Sequence, residues 1–258
     1  MKRFALISFL LIALLIIPRA NAQGNFYEEF KKYDKDQLED AANAVVESFG
    51  IGVTGGLYHT ARTHGTLGFD LGGRAMFVIV PEGESDVLDS ADVTAFTVPV
   101  LQASLGLPVG LEVMVRGSAV KFKGETVSLI GAGVKKNLDS YIPVPAFPSV
   151  SAMVAYHQFK AGDVITSRHF SIAAMVSKKF VIIQPYGGLG WDYTSMNFEY
   201  SYQPPIGDEV LVDETIKVNT VRLTMGLSVT PLPFVNVFAD YNISKYSEVT
   251  AGLAVSLR

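Results

Sequence analysis

The chain has 258 residues, no cysteine and a formal net charge of −4. Without cysteine there is no disulfide, no thiolate metal ligand, no cysteine nucleophile and no lipid-bearing N-terminal cysteine. The acidic balance argues against nucleic acid as a partner, because phosphate binding calls for a basic face.

The first elements concern export. Lys2 and Arg3 precede an apolar run from Phe4 to Ile17, Pro18 breaks it, and Ala20-Asn21-Ala22 supplies small residues for cleavage. This order predicts a secretory signal peptide over 1–22, with Gln23 as the mature start. The run is too short for a permanent membrane helix, which needs about 20 residues. Cleavage removes three bases and no acid, leaving a mature chain of net charge −7.

An N-terminal helix and plug segment is predicted over 23–62. Asp34 suits an N-cap, with Gln37 three residues on. Leu38, Ala41, Ala42, Val45, Val46 and Phe49 recur at helical spacing, opposite Lys35, Glu39, Asn43 and Glu47. The spacing predicts an amphipathic helix over 35–49 that stops at Gly50. It is too short to stand alone in water, so Leu38, Val45 and Phe49 are expected to dock on an apolar surface. That surface is either the lumen or the rim beside 138–149, with Glu39 and Glu47 matched to arginines of the barrel. His59 and His64, five apart, are spaced poorly for two metal ligands on one face and read as loop histidines.

From Thr66 the period changes to two, the strand signature. In the last such segment Val249, Ala251, Leu253, Val255 and Leu257 alternate with Thr250, Gly252, Ala254, Ser256 and Arg258. Val93–Leu111 and Ser140–Phe159 carry no charge, but Pro99, Pro108, Pro143, Pro145 and Pro148 rule them out as membrane helices. Ten strands are predicted, at 66–80, 96–107, 110–122, 126–137, 150–160, 167–178, 182–198, 215–229, 234–244 and 248–258. A count of twelve that uses Ile51–Ala61 is the alternative. An even count returns both barrel ends to the periplasm. Short connections at 108–109, 179–181 and 230–233 then lie there, and the acidic connections 81–95 and 199–214 lie outside. The Pro-rich 138–149 becomes periplasmic, the exception to short turns on that side.

The second face of these strands is rich in Gly, Ser, Ala and Thr, which suits a narrow barrel interior better than the solvated face of a sandwich. The segments, about 11–15 residues, exceed the usual soluble mode near 5–6 and match the 9–11 of a tilted spanning strand. A mean hydropathy of +0.29 in an exported chain points the same way. The fold expected is all-β: an antiparallel transmembrane β-barrel over 63–258.

Inward parity collects Asp70, Glu112, Asp192 and Asp240 with Arg74, Arg116 and Arg222 as a lumen charge network. Such charges either pair because isolated ones are too costly to bury or form a polar constriction that sets selectivity. His157, Asp163 and His169 flank one predicted outer turn, the only arrangement that suggests a surface hydrolase. Gly131-Ala132-Gly133 has Lys136 where a dinucleotide loop needs its third glycine, and Gly187-Gly188-Leu189-Gly190 reads as strand rather than phosphate cradle. Glu82, Glu84, Asp86, Asp89, Asp92, Asp208, Glu209, Asp213 and Glu214 read as solvated outer-loop acids. No metal, cofactor or catalytic site is expected.

The signal peptide, the helix, Gly56-Leu57-Tyr58-His59-Thr60-Ala61 and Leu67-Gly68-Phe69-Asp70-Leu71 resemble a group of uncharacterised bacterial outer-membrane barrels. In layout the chain is more distantly similar to long-chain fatty-acid outer-membrane transporters. The resemblance implies a barrel with an N-terminal plug, although the final Arg258 departs from the aromatic ending common in such barrels. The functional expectation is a transport or structural barrel in the outer membrane of a Gram-negative bacterium. It would be occluded by 23–62, passing small or hydrophobic molecules if it passes any. Its partners would be outer-membrane lipid, the barrel-assembly machinery and a small hydrophobic ligand. A surface enzyme and a soluble periplasmic β-rich binding protein are the rival readings.

Overall fold

The computed structural model describes residues 35–90, 93–122, 125–142, 144, 147–162, 164–202, 208 and 210–257. The signal peptide, the plug residues 23–34 with the cap Asp34, and Asp163 and Arg258 lie outside them.

Among the described residues ten antiparallel strands close into a barrel. They are β1 (Phe69–Ile79), β2 (Ala95–Leu107), β3 (Leu111–Phe122), β4 (Glu125–Asn137), β5 (Ser149–Ala161), β6 (Ile165–Ser177), β7 (Ile183–Tyr202), β8 (Val210–Leu232), β9 (Val235–Ile243) and β10 (Ser247–Leu257). Each pairs with its sequence neighbours, and β1 closes the ring on β10. Followed once round the wall, the ladder that leaves β2 at Ala95 returns to it at Leu107, twelve residues displaced. Such a stagger tilts the strands by about 35–45° and leaves a lumen too narrow for a wide water channel.

β1 begins and β10 ends at one rim, here the terminal end, which also carries the turn Pro108–Gly110 and the connections 138–148, 178–182 and 233–234. The opposite rim, the loop end, carries 80–94, 162–164, 203–209 and 244–246.

Alternation places apolar side chains outside and small or polar ones inside. Leu71, Leu101, Val115, Ile130, Leu189 and Val221 lie on the outer face, each 57–69% exposed. Thr250, Ala254, Ser256, Asn236 and Asn242 are buried on the inner face. Phe69, Tyr141, Phe147, Phe180 and Phe234 are exposed around the terminal end.

Three elements differ from the sequence reading. Helix α1 runs over Lys35–Thr54, past Gly50. The wall overrides the glycine signal: a Cβ on Gly50 would lie 2.7 Å from Thr194 Oγ1, and one on Gly52 would lie 2.9 Å from Val78 Cγ2. These glycines permit close approach, and the helix stops instead at Gly55-Gly56, where Gly56 turns with φ of +57°. Ile51–Ala61 therefore holds no strand, which removes the twelve-strand count. Second, β7 and β8 continue through the predicted acidic loop, with Glu199 opposite Asp213 and Tyr200 opposite Val212. Their inward Phe198, Tyr200, Val212 and Ile216 bury beside α1, so alternation persists where charges suggested a loop. Third, the β1–β2 connection contains α2 (Asp86–Ser90), whose Val87 and Leu88 are fully buried.

The apolar core lies inside the barrel at the loop end. Leu38, Val45, Val46, Ile51 and Val53 of the helix join Val78, Val98, Leu129, Phe159 and Met196 of the wall. Phe49, half-buried against this cluster, stacks on Phe96 with centroids 4.5 Å apart.

Candidate functional site: a lumen threaded by the chain itself

Beyond α1, residues 55–64 run through the lumen to the terminal end, where the chain enters β1. The segment forms no sheet ladder, so its backbone polar groups must find partners on the wall. Arg116 Nη1 donates to the Gly55 carbonyl at 3.0 Å, and Arg74 Nη1 donates to that of Gly56. Gln102 Nε2 donates to Leu57 O at 3.2 Å. Ser177 Oγ accepts from Ala61 N at 3.0 Å, and Ser151 Oγ donates to Ala61 O. Lys135 Nζ donates to Arg62 O at 3.2 Å, and Glu112 Oε2 accepts from His64 N at 3.0 Å.

The side chains of the segment fit the wall as closely. His59 stacks on Phe238 with centroids 4.7 Å apart and holds Nε2 3.5 Å from Asp70 Oδ2. Gln184 Nε2 donates to Thr60 Oγ1 at 2.6 Å. Tyr58 meets Tyr186 edge-on and fills the space that Gly188 leaves. A Cβ on Gly188 would lie 2.3 Å from the Tyr58 hydroxyl and 2.6 Å from the Ala174 carbonyl. Gly188→Val should therefore cost about 1–3 kcal/mol, the range for overpacking. Gly187→Val, on the outer face, should cost less. Denaturant titration of the two variants checks this; equal losses would mean that Tyr58 does not occupy that socket.

The structure places all seven predicted lumen charges inside, but six of them fall in three groups and Arg116 stands apart, rather than all joining one network. Arg222 pairs with Asp192 (Nε to Oδ2, 2.8 Å), which also accepts from Ser171 Oγ at 2.5 Å. Close by, Asn242 bridges Asp240 and Glu248, and Tyr186 donates to Asp240 at 2.7 Å. Arg74 lies 3.9 Å from Asp70, which Ser256 also reaches. Glu112 pairs with Lys135 at 2.8 Å and with His64 Nδ1 at 2.7 Å. Arg116 makes no ion pair among the described residues; its partner is a carbonyl of the threaded segment.

Several expectations need correction. Glu47 pairs with Lys245 at 2.7 Å at the loop end and not with a lumen arginine. The helix sits above the arginines, so the bare carbonyls that follow it serve them. Glu39's side chain lies outside the described residues. His59 and His64 do lie in an irregular segment, but a buried one that fills the lumen. His157 and His169 do face each other, yet four ladder pairs inward from the hairpin end at Ala161–Ile165, fully buried. Inward parity puts them in the lumen, so they form no open rim, and Asp163 lies outside the described residues. Loop residues Val87 and Leu88 pack in the core, so 81–95 is only partly a solvated loop. Among the described residues no three His, Asp or Glu side chains cluster to hold a metal.

Lys135, Glu248, Gln184 and Tyr58 belong to the site without having been singled out. Lys135 and Glu248 share the inward parity of Gly133 and Thr250, so alternation alone could have found them.

No curated protein matches the chain. Among solved structures it is similar to the translocator domain of autotransporter NalP from Neisseria meningitidis, with 10% identity, 85% of this chain and 99% of that one covered, and TM-score 0.40. It is similar also to outer membrane protease OmpT from Escherichia coli (11%, 74% and 97%, 0.40) and to Neisserial surface protein A (11%, 72% and 96%, 0.35). None of these likenesses bears on fatty-acid transport. A family model matches residues 1–88 and 85–257, and the chain belongs to the Family of unknown function (DUF6588).

Proposed function

We propose that this protein is an outer-membrane β-barrel whose pore is plugged by its own N-terminal segment. In this reading, passage of small or hydrophobic molecules requires residues 55–64 to move. Two features support the membrane. The outer face is a continuous apolar surface that water would not tolerate at this extent, and an aromatic ring of Phe69, Tyr141, Phe147, Phe180 and Phe234 surrounds the terminal end, as at a lipid interface. The orientation follows the rule that barrel termini face the periplasm and the larger loops face outward.

The observation that carries the plug is the string of wall donors and acceptors gripping 55–64 from Arg116 to Glu112. A segment bound at so many points fills the lumen in its resting state.

The test is conductance in planar bilayers. The full chain is expected to be silent. Removal of 25–64 should give a barrel that conducts and keeps a heat-modifiable gel mobility. Removal of 25–51 alone should leave the lower lumen filled and conduct less than the longer deletion. A heat-modifiable 25–64 deletion that is as silent as the full chain would sink the plug reading.

A further inference from the structure

The direction of the threaded segment has a consequence beyond closure. Glu47, in the middle of α1, is fixed at the loop end by Lys245 of the 244–246 connection. The helix ends deeper, where Gly55 meets Arg116 and lies close to Glu248. Its N-terminus therefore points out of the barrel at the loop end. Twenty helical residues span about 30 Å, comparable to a bilayer core.

A platform receives the helix there. β8 pairs with β9 only from Leu223 onward, so Val210–Arg222 rise past the end of β9 with β7 as their one ladder partner. The inner face of this hairpin buries Phe198, Tyr200, Val212 and Ile216 in the cluster that includes Leu38 and Val45. The helix packs on both strands and on α2. Its outward course is thus held by apolar burial near its start and by an ion pair at its middle.

We infer that the barrel delivers the chain preceding Lys35 to the cell surface and anchors it there, with residues 55–64 as a tether running through the membrane inside the wall. The inference rests on the outer-membrane orientation proposed above and adds a function to it: surface presentation of the twelve residues, 23–34, that precede the helix after cleavage. It also limits how the lumen could open. Withdrawal toward the periplasm would drag α1, with its buried Leu38 and Val45, through a lumen lined by Arg74, Arg116 and Arg222. Outward release does not clear the lumen either, because the segment is joined to β1 at the terminal end.

The chain has no cysteine, so single cysteines report position without background. In cells expressing the full chain, a membrane-impermeant maleimide should label Asn25→Cys and Asn43→Cys. Labelling of Asn25→Cys should be as full as that of Asp208→Cys at the loop end, which is exposed, with half-buried Asn43→Cys reacting more slowly. Val181→Cys, at the terminal end and 88% exposed, should label only once the outer membrane is permeabilised. If Asn25→Cys behaves like Val181→Cys while Asp208→Cys labels in intact cells, the N-terminus is periplasmic and display is overturned. If Asp208→Cys stays silent and Val181→Cys labels, the barrel is inverted and display is overturned with its orientation. Each variant is also checked for membrane fractionation and heat-modifiable mobility. Loss of those in the unsubstituted protein would refute the outer-membrane reading itself, a failure distinct from either labelling outcome.

Discussion

Leu101→Arg is expected to destabilise the barrel in lipid by about 2–4 kcal/mol, the cost of an arginine on the lipid face near the midplane. Leu101 sits at the centre of β2, points outward and is 69% exposed. Its ladder partners are Gly73 and Gly117, so no large neighbour on the adjacent strands would be displaced by the longer side chain. If the outer face were wet, a surface substitution of this kind would stay within about 0.5 kcal/mol, and it would improve solubility. The two environments thus give opposite results from one change. Denaturant titration of the protein refolded into phospholipid vesicles reads the difference. Unchanged stability in vesicles would remove the physical case for a membrane, whatever the shape of the fold.

The same alternation that makes Leu101 a probe made the barrel legible. Period two, fixed over eleven or more residues, specifies one outward apolar face and one lumen face, and a slip of one residue would invert every side chain. That constraint carried the strand count, the parity of the termini and the seven inward charges. It gave out where the helix, rather than the barrel wall, decided what was buried. Above the rim β7 and β8 keep alternating because α1 covers their inner face, but Asp213, Glu214 and Glu199 on the sequence look like a solvated loop. Gly50 looked like a helix stop because local propensity is a weak prior that tertiary packing overrides. Nothing within the helix reveals that Thr194, distant in sequence, needs the room.

The site was harder to read for a related reason. Residues 55–64 have neither helical nor strand period, since their order is imposed by the wall. Periodicity cannot find a segment whose hydrogen bonds go mostly to the wall. The inward acids, four against three arginines, gave no sign in the sequence that Arg116 would be left without an acid of its own. A buried cation without an acid needs another acceptor, and backbone carbonyls of an extended chain are suited to supply it. Gly55 and Gly56 bring those carbonyls close, because a Cβ on Gly55 would lie 2.5 Å from Glu248 Oε2.

The largest single loss is expected at the terminal end of the tether. Glu112 is almost fully buried and holds three groups at once: Lys135 Nζ at 2.8 Å, His64 Nδ1 at 2.7 Å and the His64 amide at 3.0 Å. Glu112→Leu leaves Lys135 charged in the lumen with only the Arg62 carbonyl to receive it. Removing one partner of a buried pair costs about 3–5 kcal/mol, because the other charge is left uncompensated. Glu112→Leu/Lys135→Leu removes both charges and should recover part of that loss. Recovery stays incomplete because the His64 amide then lacks its acceptor, which costs about 1–3 kcal/mol. Denaturant titrations of the two single variants and the double variant in one detergent give the coupling directly. A Glu112→Leu loss below about 1 kcal/mol would mean the charge is hydrated, and a double variant as unstable as the sum of the singles would mean the two residues do not act as a pair. Because the latch holds the tether where it enters β1, the single variant should also flicker in planar bilayers while the full chain stays closed. Silence despite the full stability loss would place the closing contacts higher in the lumen, at Tyr58 and the arginines.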